Sequence, residues 1–304
     1  MTSTLRAGVI GAGVFGGYHA AKYAELPDVR LAAILDPHPE REAALVAKYG
    51  GKACESLQDL LNQVDVVSIA APAIHHGRLA LAALAAGKSV YVEKPIAVSL
   101  EDADAIVAAA DRRGLVAACG FLERAAFLAM GLFEVPRAPL RMECARLGPA
   151  SPRNLDVSVV IDLMIHDLDL ALALAVAEPL AVEAEGACIA NSLIDEARAE
   201  VSFDDGFTAL CRASRVAAER ERTLTLVYPR GEVRLDLLTH AFENTTPYAL
   251  NLGFEDDPRS KDRLGASLAA FLAAVRGDGV PLADARDGAR ALDLALAVEQ
   301  AVGG

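Results

Sequence analysis

The sequence predicts an α/β protein in two parts. Residues 1–120 read as a doubly wound parallel sheet, and residues 121–304 as an α+β domain with a mostly antiparallel open sheet. Three observations carry that reading. The first 120 residues alternate short, continuously apolar runs with helical segments, the pattern of βαβ units whose sheet is covered on both faces. The second half instead strings strands together through tight turns, which makes them antiparallel. At 304 residues the chain has room for two domains of the usual size, about 100–200 residues each.

Taken in order, strand-like runs fall at residues 5–10, 29–35, 64–70, 89–93 and 115–119, with helices between them at 14–25, 39–49, 74–86 and 100–113. A helix follows residue 120, then a basic irregular stretch at 137–153 and a long apolar helix at 157–176. Alternating strands come next, at 182–190, 194–203, 207–214, 222–228 and 231–237. Asp204-Asp205-Gly206 and Pro229-Arg230-Gly231 are the hairpin turns. Residues 239–259 read as a loop rich in Asn, Thr and Pro. Two alanine-rich helices close the chain at 261–276 and 283–302, the last of them able to pack back on the first domain. An antiparallel sheet with one free face predicts a homodimer or homotetramer.

Composition narrows the partners. Mean hydropathy is +0.29, but the longest stretch without Asp, Glu, Lys or Arg runs only from residue 7 to 21 and is glycine-rich. That is short of the roughly 20 apolar residues of a spanning helix, so no membrane association is expected. Arg6 with the apolar run behind it superficially imitates a secretory signal. The same run holds the sharpest motif of the chain, which cleavage would destroy, so a cytoplasmic protein is expected. A net charge of −13 speaks against nucleic acid and anionic lipid. The five cysteines (Cys54, Cys119, Cys144, Cys188, Cys211) are odd in number, widely spaced and without a C-x-x-C. They fit free thiols in a reducing compartment better than a disulfide framework or a metal site.

Gly11-Ala12-Gly13-Val14-Phe15-Gly16 leaves an apolar strand and opens a helix. The first glycine allows the tight turn, the second lets backbone N–H groups approach a pyrophosphate, and the third lets helix and strand pack closely. Asp36 ends the second strand twenty residues past Gly16, where a carboxylate holds the ribose hydroxyls of NAD and repels the 2′-phosphate of NADP. This is a Rossmann dinucleotide site with NAD as the expected cofactor. Arg41 in the next helix leaves NADP open.

Strand 89–92 runs into Glu93-Lys94-Pro95, which puts a lysine at the carboxyl end of a parallel strand, the edge where ligands bind. The apolar helix at 157–176 is interrupted by Asp162, His166 and Asp169, at spacings of four and three, on one stripe. Buried carboxylates and an imidazole must be paired or face a polar cavity. Three readings fit: an internal Asp–His hydrogen bond, a metal pair lacking a third ligand, or a base and its partner in a cleft.

These residues, with Ala71-Pro72, His76, Ala85-Ala86-Gly87-Lys88 and the closing Pro281-Leu282-Ala283-Asp284, stand in the order found in the glucose–fructose oxidoreductase/inositol dehydrogenase family, which the chain resembles over essentially its whole length. The resemblance implies a sugar or cyclitol hydroxyl oxidised by NAD(P), with Lys94, Asp162 and His166 as the catalytic group. It implies cofactor contacts from Gly11, Gly13, Val14, Phe15, Gly16 and Asp36 and, at later strand ends, from Ala71, Pro72, His76, Glu93 and Lys94. It also implies a subunit interface on the open sheet. In chemical terms the imidazole of His166, with an ordinary pKa near about 6.5, suits a base, and Lys94 suits the developing charge on the oxygen.

Within the family, residues 93–98, 120–124 and 156–167 look similar to the branch that oxidises the 3-hydroxyl of UDP-N-acetylglucosamine. That branch usually reads Gly-His-x-Glu-Arg-Phe-Asn, whereas this chain has Phe121 at the His position and Ala125-Ala126 for Phe-Asn. Arg137, Arg141, Arg146 and Arg153 bunch in an otherwise acidic chain, as a phosphate site would require. On this reading Arg124, Arg153, Asp162, His166 and Tyr248 contact substrate, and the arginines from 124 to 153 line one cleft. Scattered arginines favour the alternative, a free-sugar or inositol dehydrogenase. A non-catalytic NAD(P)-sensing regulator is the remaining alternative, against which the retained Lys94, Asp162 and His166 speak. No metal is expected.

Overall fold

The computed structural model describes residues 4–150, 156–190 and 192–303. In chain order the elements begin β1 (Leu5–Ile10), α1 (Val14–Glu25), β2 (Val29–Leu35), α2 (Pro39–Tyr49), β3 (Lys52–Ala53), α3 (Leu57–Gln63), β4 (Val66–Ile69), α4 (His76–Ala85), β5 (Ser89–Val92), α5 (Leu100–Arg113) and β6 (Ala117–Cys119). They continue with α6 (Glu123–Met130), β7 (Arg141–Leu147), a π-helical turn (Val160–Met164), α7 (Ile165–Leu174), β8 (Pro179–Ala187), β9 (Glu196–Phe203), β10 (Thr208–Ser214), β11 (Glu221–Tyr228), β12 (Gly231–Asp236), β13 (Phe242–Asn244), α8 (Pro258–Lys261), α9 (Arg263–Val275) and α10 (Ala285–Gly303). They fall into two compact units. One is the chain up to Leu122 together with Asp262–Ala289; the other is Glu123–Lys261 together with the chain from Arg290 on.

The first unit holds a six-stranded sheet in the order β3-β2-β1-β4-β5-β6, parallel throughout. Its strands are apolar on both faces because both are covered: Val9, Ile34, Ile69 and Val92 are fully buried. The order reverses between β1 and β4, so ligand space opens at the carboxyl ends of these strands. Gly11, Asp36, Ala71 and Glu93-Lys94 all follow such ends. Helix starts are marked by side-chain caps, Ser56 on the Asp59 N–H (3.1 Å) and Ser99 on the Asp102 N–H (3.2 Å).

Residues 262–289 complete this unit, whereas the sequence reading places them in the second part, with the last helix able to pack back on the first; most of that helix, from Arg290 on, groups with the second unit. Asp262 caps α9 by accepting from the Gly265 N–H (3.0 Å). Leu268 and Phe271 are fully buried in one cluster with Val9, Tyr23 and Tyr91, and the Tyr91 hydroxyl bonds Ser267 Oγ at 2.9 Å. Beyond α9 the Cys119 N–H donates to the Ala283 carbonyl (3.0 Å), extending the β6 edge. The apolar face of α9 was legible; the surface it covers was not.

The second unit holds a seven-stranded sheet in the order β13-β12-β11-β7-β10-β9-β8, antiparallel except for the parallel pair β7–β10. Gly206 (φ 85°) and Gly231 (φ 96°) supply the left-handed turn positions of the β9–β10 and β11–β12 hairpins. One face is apolar, with Met142, Cys144, Ala209, Cys211, Leu224, Leu226 and Val233 buried, and α7 and its π-turn pack on it at β10. The other face carries charge pairs such as Arg212–Glu221 and Arg234–Glu232. Strand β7 lies within the stretch the sequence reading left irregular. Its charges alternate outward at Arg141 and Glu143, while Arg146 points inward and is only 3% exposed, a placement its neighbours alone permit.

Candidate active site

The glycine turn has three distinct environments. A Cβ on Gly11 (φ 98°) would lie 2.6 Å from the Ala70 carbonyl oxygen, and one on Gly16 would lie 1.8 Å from the Gly11 carbonyl oxygen. These two glycines are therefore required by packing. Gly13 is exposed, with an ordinary backbone and no atom within 4 Å of its would-be Cβ. Neither packing nor backbone conformation requires a glycine there, and the open space fits a pyrophosphate approaching the amino end of α1. Val14 and Phe15 are exposed on the same first turn. Asp36 accepts from the Ala12 N–H (2.6 Å) and the His38 N–H (2.9 Å), holding its carboxylate beside the turn where an adenosine ribose would be read. The donor set thus fits NAD.

Further along this edge, His76 is buried between two carbonyls, Pro95 O at 2.7 Å from Nδ1 and Ala71 O at 2.8 Å from Nε2. Burial lowers its pKa against the pull of those two oxygens. It ties the loop after β4 to the loop after β5, and Ala71-Pro72 is shaped by it. Glu93 is also buried. Its Oε1 meets His19 Nε2 at 2.8 Å, His19 Nδ1 meets Ser68 Oγ at 2.9 Å, and Ser68 Oγ meets the Tyr23 hydroxyl at 2.7 Å. Glu93 is therefore an anchor inside the sheet, and partly buried Lys94 follows it through a cis bond to Pro95.

In the second unit the helix read as continuous from 157 begins as a π-turn, capped where Ser158 Oγ accepts from the Ile161 N–H (3.2 Å). Such turns are frequent at functional sites. Asp162 sits on it and His166 opens α7, both half-buried. A chain of charges runs behind the imidazole. Glu123 Oε2 lies 3.0 Å from His166 Nδ1, an ion-pair contact set off the line of a straight hydrogen bond. Glu123 Oε1 accepts from Arg146 Nη1 (3.0 Å), and Arg146 donates to Asp167 through Nε (3.2 Å) and Nη2 (2.8 Å). Burial would raise the Glu123 pKa, but His166 and Arg146 together hold it well below the carboxylate range. For Arg146 burial lowers the pKa, and Asp167 and Glu123 outweigh it and raise it.

Among the described residues, the arginines expected to line one cleft do not gather in one. Arg124 is buried in a bidentate pair with Asp169 (3.0 and 2.7 Å), Arg146 is locked as described, Arg141 pairs with Glu143, and Arg137 is exposed. Arg153 lies outside the described residues. Tyr248 packs edge-on against Tyr228, with ring centroids 5.3 Å apart. Among the described residues no group of three His, Cys, Asp or Glu side chains could hold a metal ion, and no helix is long and apolar enough to cross a membrane.

Comparison with known proteins places this geometry. Residues 5–121 match the profile of an oxidoreductase family with an NAD-binding Rossmann fold, and residues 143–234 match the C-terminal domain of the same family. The UDP-N-acetylglucosamine 3-dehydrogenase of Acidithiobacillus ferrooxidans is 36% identical over 98% of this chain and 97% of its own. The chain belongs to the Gfo/Idh/MocA oxidoreductase family. Another Gfo/Idh/MocA relative, the NAD-dependent scyllo-inositol 2-dehydrogenase of Bacillus subtilis, is 27% identical over 71% of this chain and 69% of its own. A solved structure of the Acidithiobacillus enzyme superposes with a TM-score of 0.91 at 35% identity, covering 99% of this chain and 98% of that one. The WlbA dehydrogenase of Bordetella pertussis, solved with NADH and UDP-GlcNAcA, shares the fold at 21% identity and a TM-score of 0.88, over 99% of this chain and 96% of that one.

As a Gfo/Idh/MocA oxidoreductase, the chain carries functional candidates that sequence reasoning passed over. Glu123 and Asp167 fall inside the stretches 120–124 and 156–167 that resemble the family branch, but their role shows only through partners more than twenty residues away. Arg222 lies opposite Arg146 in the β11–β7 ladder, so both side chains share the helix-covered face. It is exposed, and among the described residues no carboxylate lies within ion-pair distance of it. Burial of part of the side chain and then Arg146 lower its pKa, against Glu123.

Proposed function

We propose that this oxidoreductase converts the 3-hydroxyl of UDP-N-acetylglucosamine to a ketone with NAD. Identity of 36% spread over 98% of the chain with a dehydrogenase of that name carries the reading, since inositol dehydrogenases match at lower identity, 27% over 71% or 98% of the chain. NAD, when bound, takes the hydride from the carbinol carbon. The backbone from Gly11 to Gly16 is assigned to its pyrophosphate and Asp36 to its ribose, which favours NAD over NADP although Arg41 lies nearby in sequence. His166 takes the hydroxyl proton. Lys94 donates to the reacting oxygen and stabilises its developing negative charge. Because Nδ1 of His166 faces Glu123, Asp162 is assigned to a neighbouring sugar hydroxyl. With Arg124 and Arg146 engaged internally, Arg222 is the cation assigned to the diphosphate.

One observation favours an uncharged polyol instead: the arginines from 124 to 147 are spent on internal pairs or scattered. Initial rates of NADH formation with UDP-N-acetylglucosamine, myo-inositol, scyllo-inositol and glucose separate the two readings. Turnover with the nucleotide sugar alone supports the proposal; turnover with an inositol alone refutes it. We further propose a homodimer or homotetramer formed through the open face of the seven-stranded sheet, working in the cytoplasm with its five free cysteines reduced.

A further inference from the structure

The proposed base is built into a buried charge chain whose balance is incomplete. Asp167 and Glu123 each carry −1 and Arg146 carries +1, so the trio behind a neutral His166 holds one net negative charge. Glu123 and Arg146 are nearly inaccessible, with side chains 12% and 4% exposed, and water screens such a charge poorly. The three come from α6, β7 and α7, so the tertiary fold brings them together. A carboxylate accepts hydrogen bonds and cannot donate one. With Nδ1 3.0 Å from Glu123 Oε2, the carboxylate charge favours the neutral imidazole that turns its proton on Nδ1 toward it and presents the lone pair of Nε2.

We infer that Glu123 is the positioning residue of the histidine base: it fixes the Nδ1–H tautomer of His166, leaves Nε2 as the proton acceptor, and balances the imidazolium once the proton arrives. In the reaction the carbinol O–H bond breaks and its proton bonds to Nε2, while the C–H electron pair leaves as hydride to NAD and the carbonyl forms. The buried cluster then sums to zero, and release of the Nε2 proton to water restores it. Arg146, itself held by Asp167, keeps Glu123 ionised and fixed. Glu123 has this role only if His166 is the base of the proposed reaction.

Glu123→Gln keeps the shape and removes the charge. The other groups around the imidazole (Asp162 one turn back, Arg146 and Asp167 behind Glu123, Arg222 across the ladder) stay unchanged. The expected result is a loss of about tenfold or more in kcat, with KM and NAD affinity held, and an acid limb of kcat/KM moved down by about one unit or more because the imidazolium loses its counter-charge. Glu123→Asp should recover part of the rate. An acid limb that stays in place in a folded Glu123→Gln enzyme overturns the inference. His166→Ala tests the underlying reading separately: full activity there refutes His166 as base, whatever Glu123 does. If Glu123→Gln does not fold, 15N NMR of the unaltered enzyme decides, since an Nε2–H tautomer at His166 contradicts the inference and an Nδ1–H tautomer supports it.

Discussion

Gly13→Ala separates cofactor recognition from folding at one atom. Gly13 has φ −75° and ψ −163°, which alanine adopts without strain, and the added methyl would meet nothing within 4 Å. Folding stability should stay within about 0.5 kcal/mol, or rise by up to about 1 kcal/mol as the unfolded chain loses freedom. The methyl instead stands where the pyrophosphate must come close to backbone N–H groups. Loss of one or two charge-assisted hydrogen bonds is worth about 1.5–3 kcal/mol each, so the NAD dissociation constant should rise by about ten- to a hundredfold or more. Gly16→Ala is the control in the opposite direction. Its Cβ would sit 1.8 Å from a carbonyl oxygen, so α1 must leave β1 and the melting temperature should fall along with binding. Thermal denaturation with and without NAD, beside calorimetric titration, reads both quantities. A Gly13→Ala protein that folds and binds NAD as tightly as the parent would refute the placement of the pyrophosphate.

Four further outcomes follow from the same geometry. Lys94→Ala should lower kcat by about 10²–10⁴-fold while the NAD dissociation constant stays nearly unchanged; unimpaired turnover removes Lys94 from the chemistry. Asp36→Ala should weaken NAD and relieve the repulsion of a 2′-phosphate, raising the NADP to NAD ratio of kcat/KM, and an unmoved ratio contradicts its role. Arg146→Met strands two buried carboxylates and should cost about 3–5 kcal/mol in urea unfolding; a neutral result would mean that the charge chain is not buried as described. Because Glu123 has a lower pKa folded than unfolded, its ionisation stabilises the fold above the ordinary glutamate value. That contribution is lost as pH falls through the folded value. Between about pH 5 and pH 3 the parent should lose stability more steeply than Glu123→Gln, and equal slopes would contradict the depressed pKa.

The parallel sheet was legible because continuous apolar strands and capped helices are local signals: the runs at residues 5–10 and 29–35 are strands β1 and β2 to the residue. Strand β7 was hidden because Arg146 looks like a surface residue until Asp167 and Glu123 surround it. The loop read at 239–259 likewise contains β13 and a buried Phe254, anchored by tertiary contacts between aromatic rings. At the site, the glycine turn, Asp36, Lys94 and the Asp162–His166 spacing could be read directly, since each depends on local geometry. The arginine cluster misled for the converse reason. Closeness in sequence at 124–153 says nothing about direction, and the fold turns Arg124 and Arg146 inward to Asp169 and Asp167.

Oxidation at C3 of the nucleotide sugar is tested most directly by following one atom. UDP-N-acetylglucosamine carrying deuterium at C3 is incubated with the protein and NAD, and the reduced nicotinamide is analysed by mass spectrometry. Reduced cofactor bearing one deuterium, formed together with a 3-keto sugar, is the predicted result. Unlabelled reduced cofactor, or none formed under conditions where an inositol is oxidised, would contradict the account.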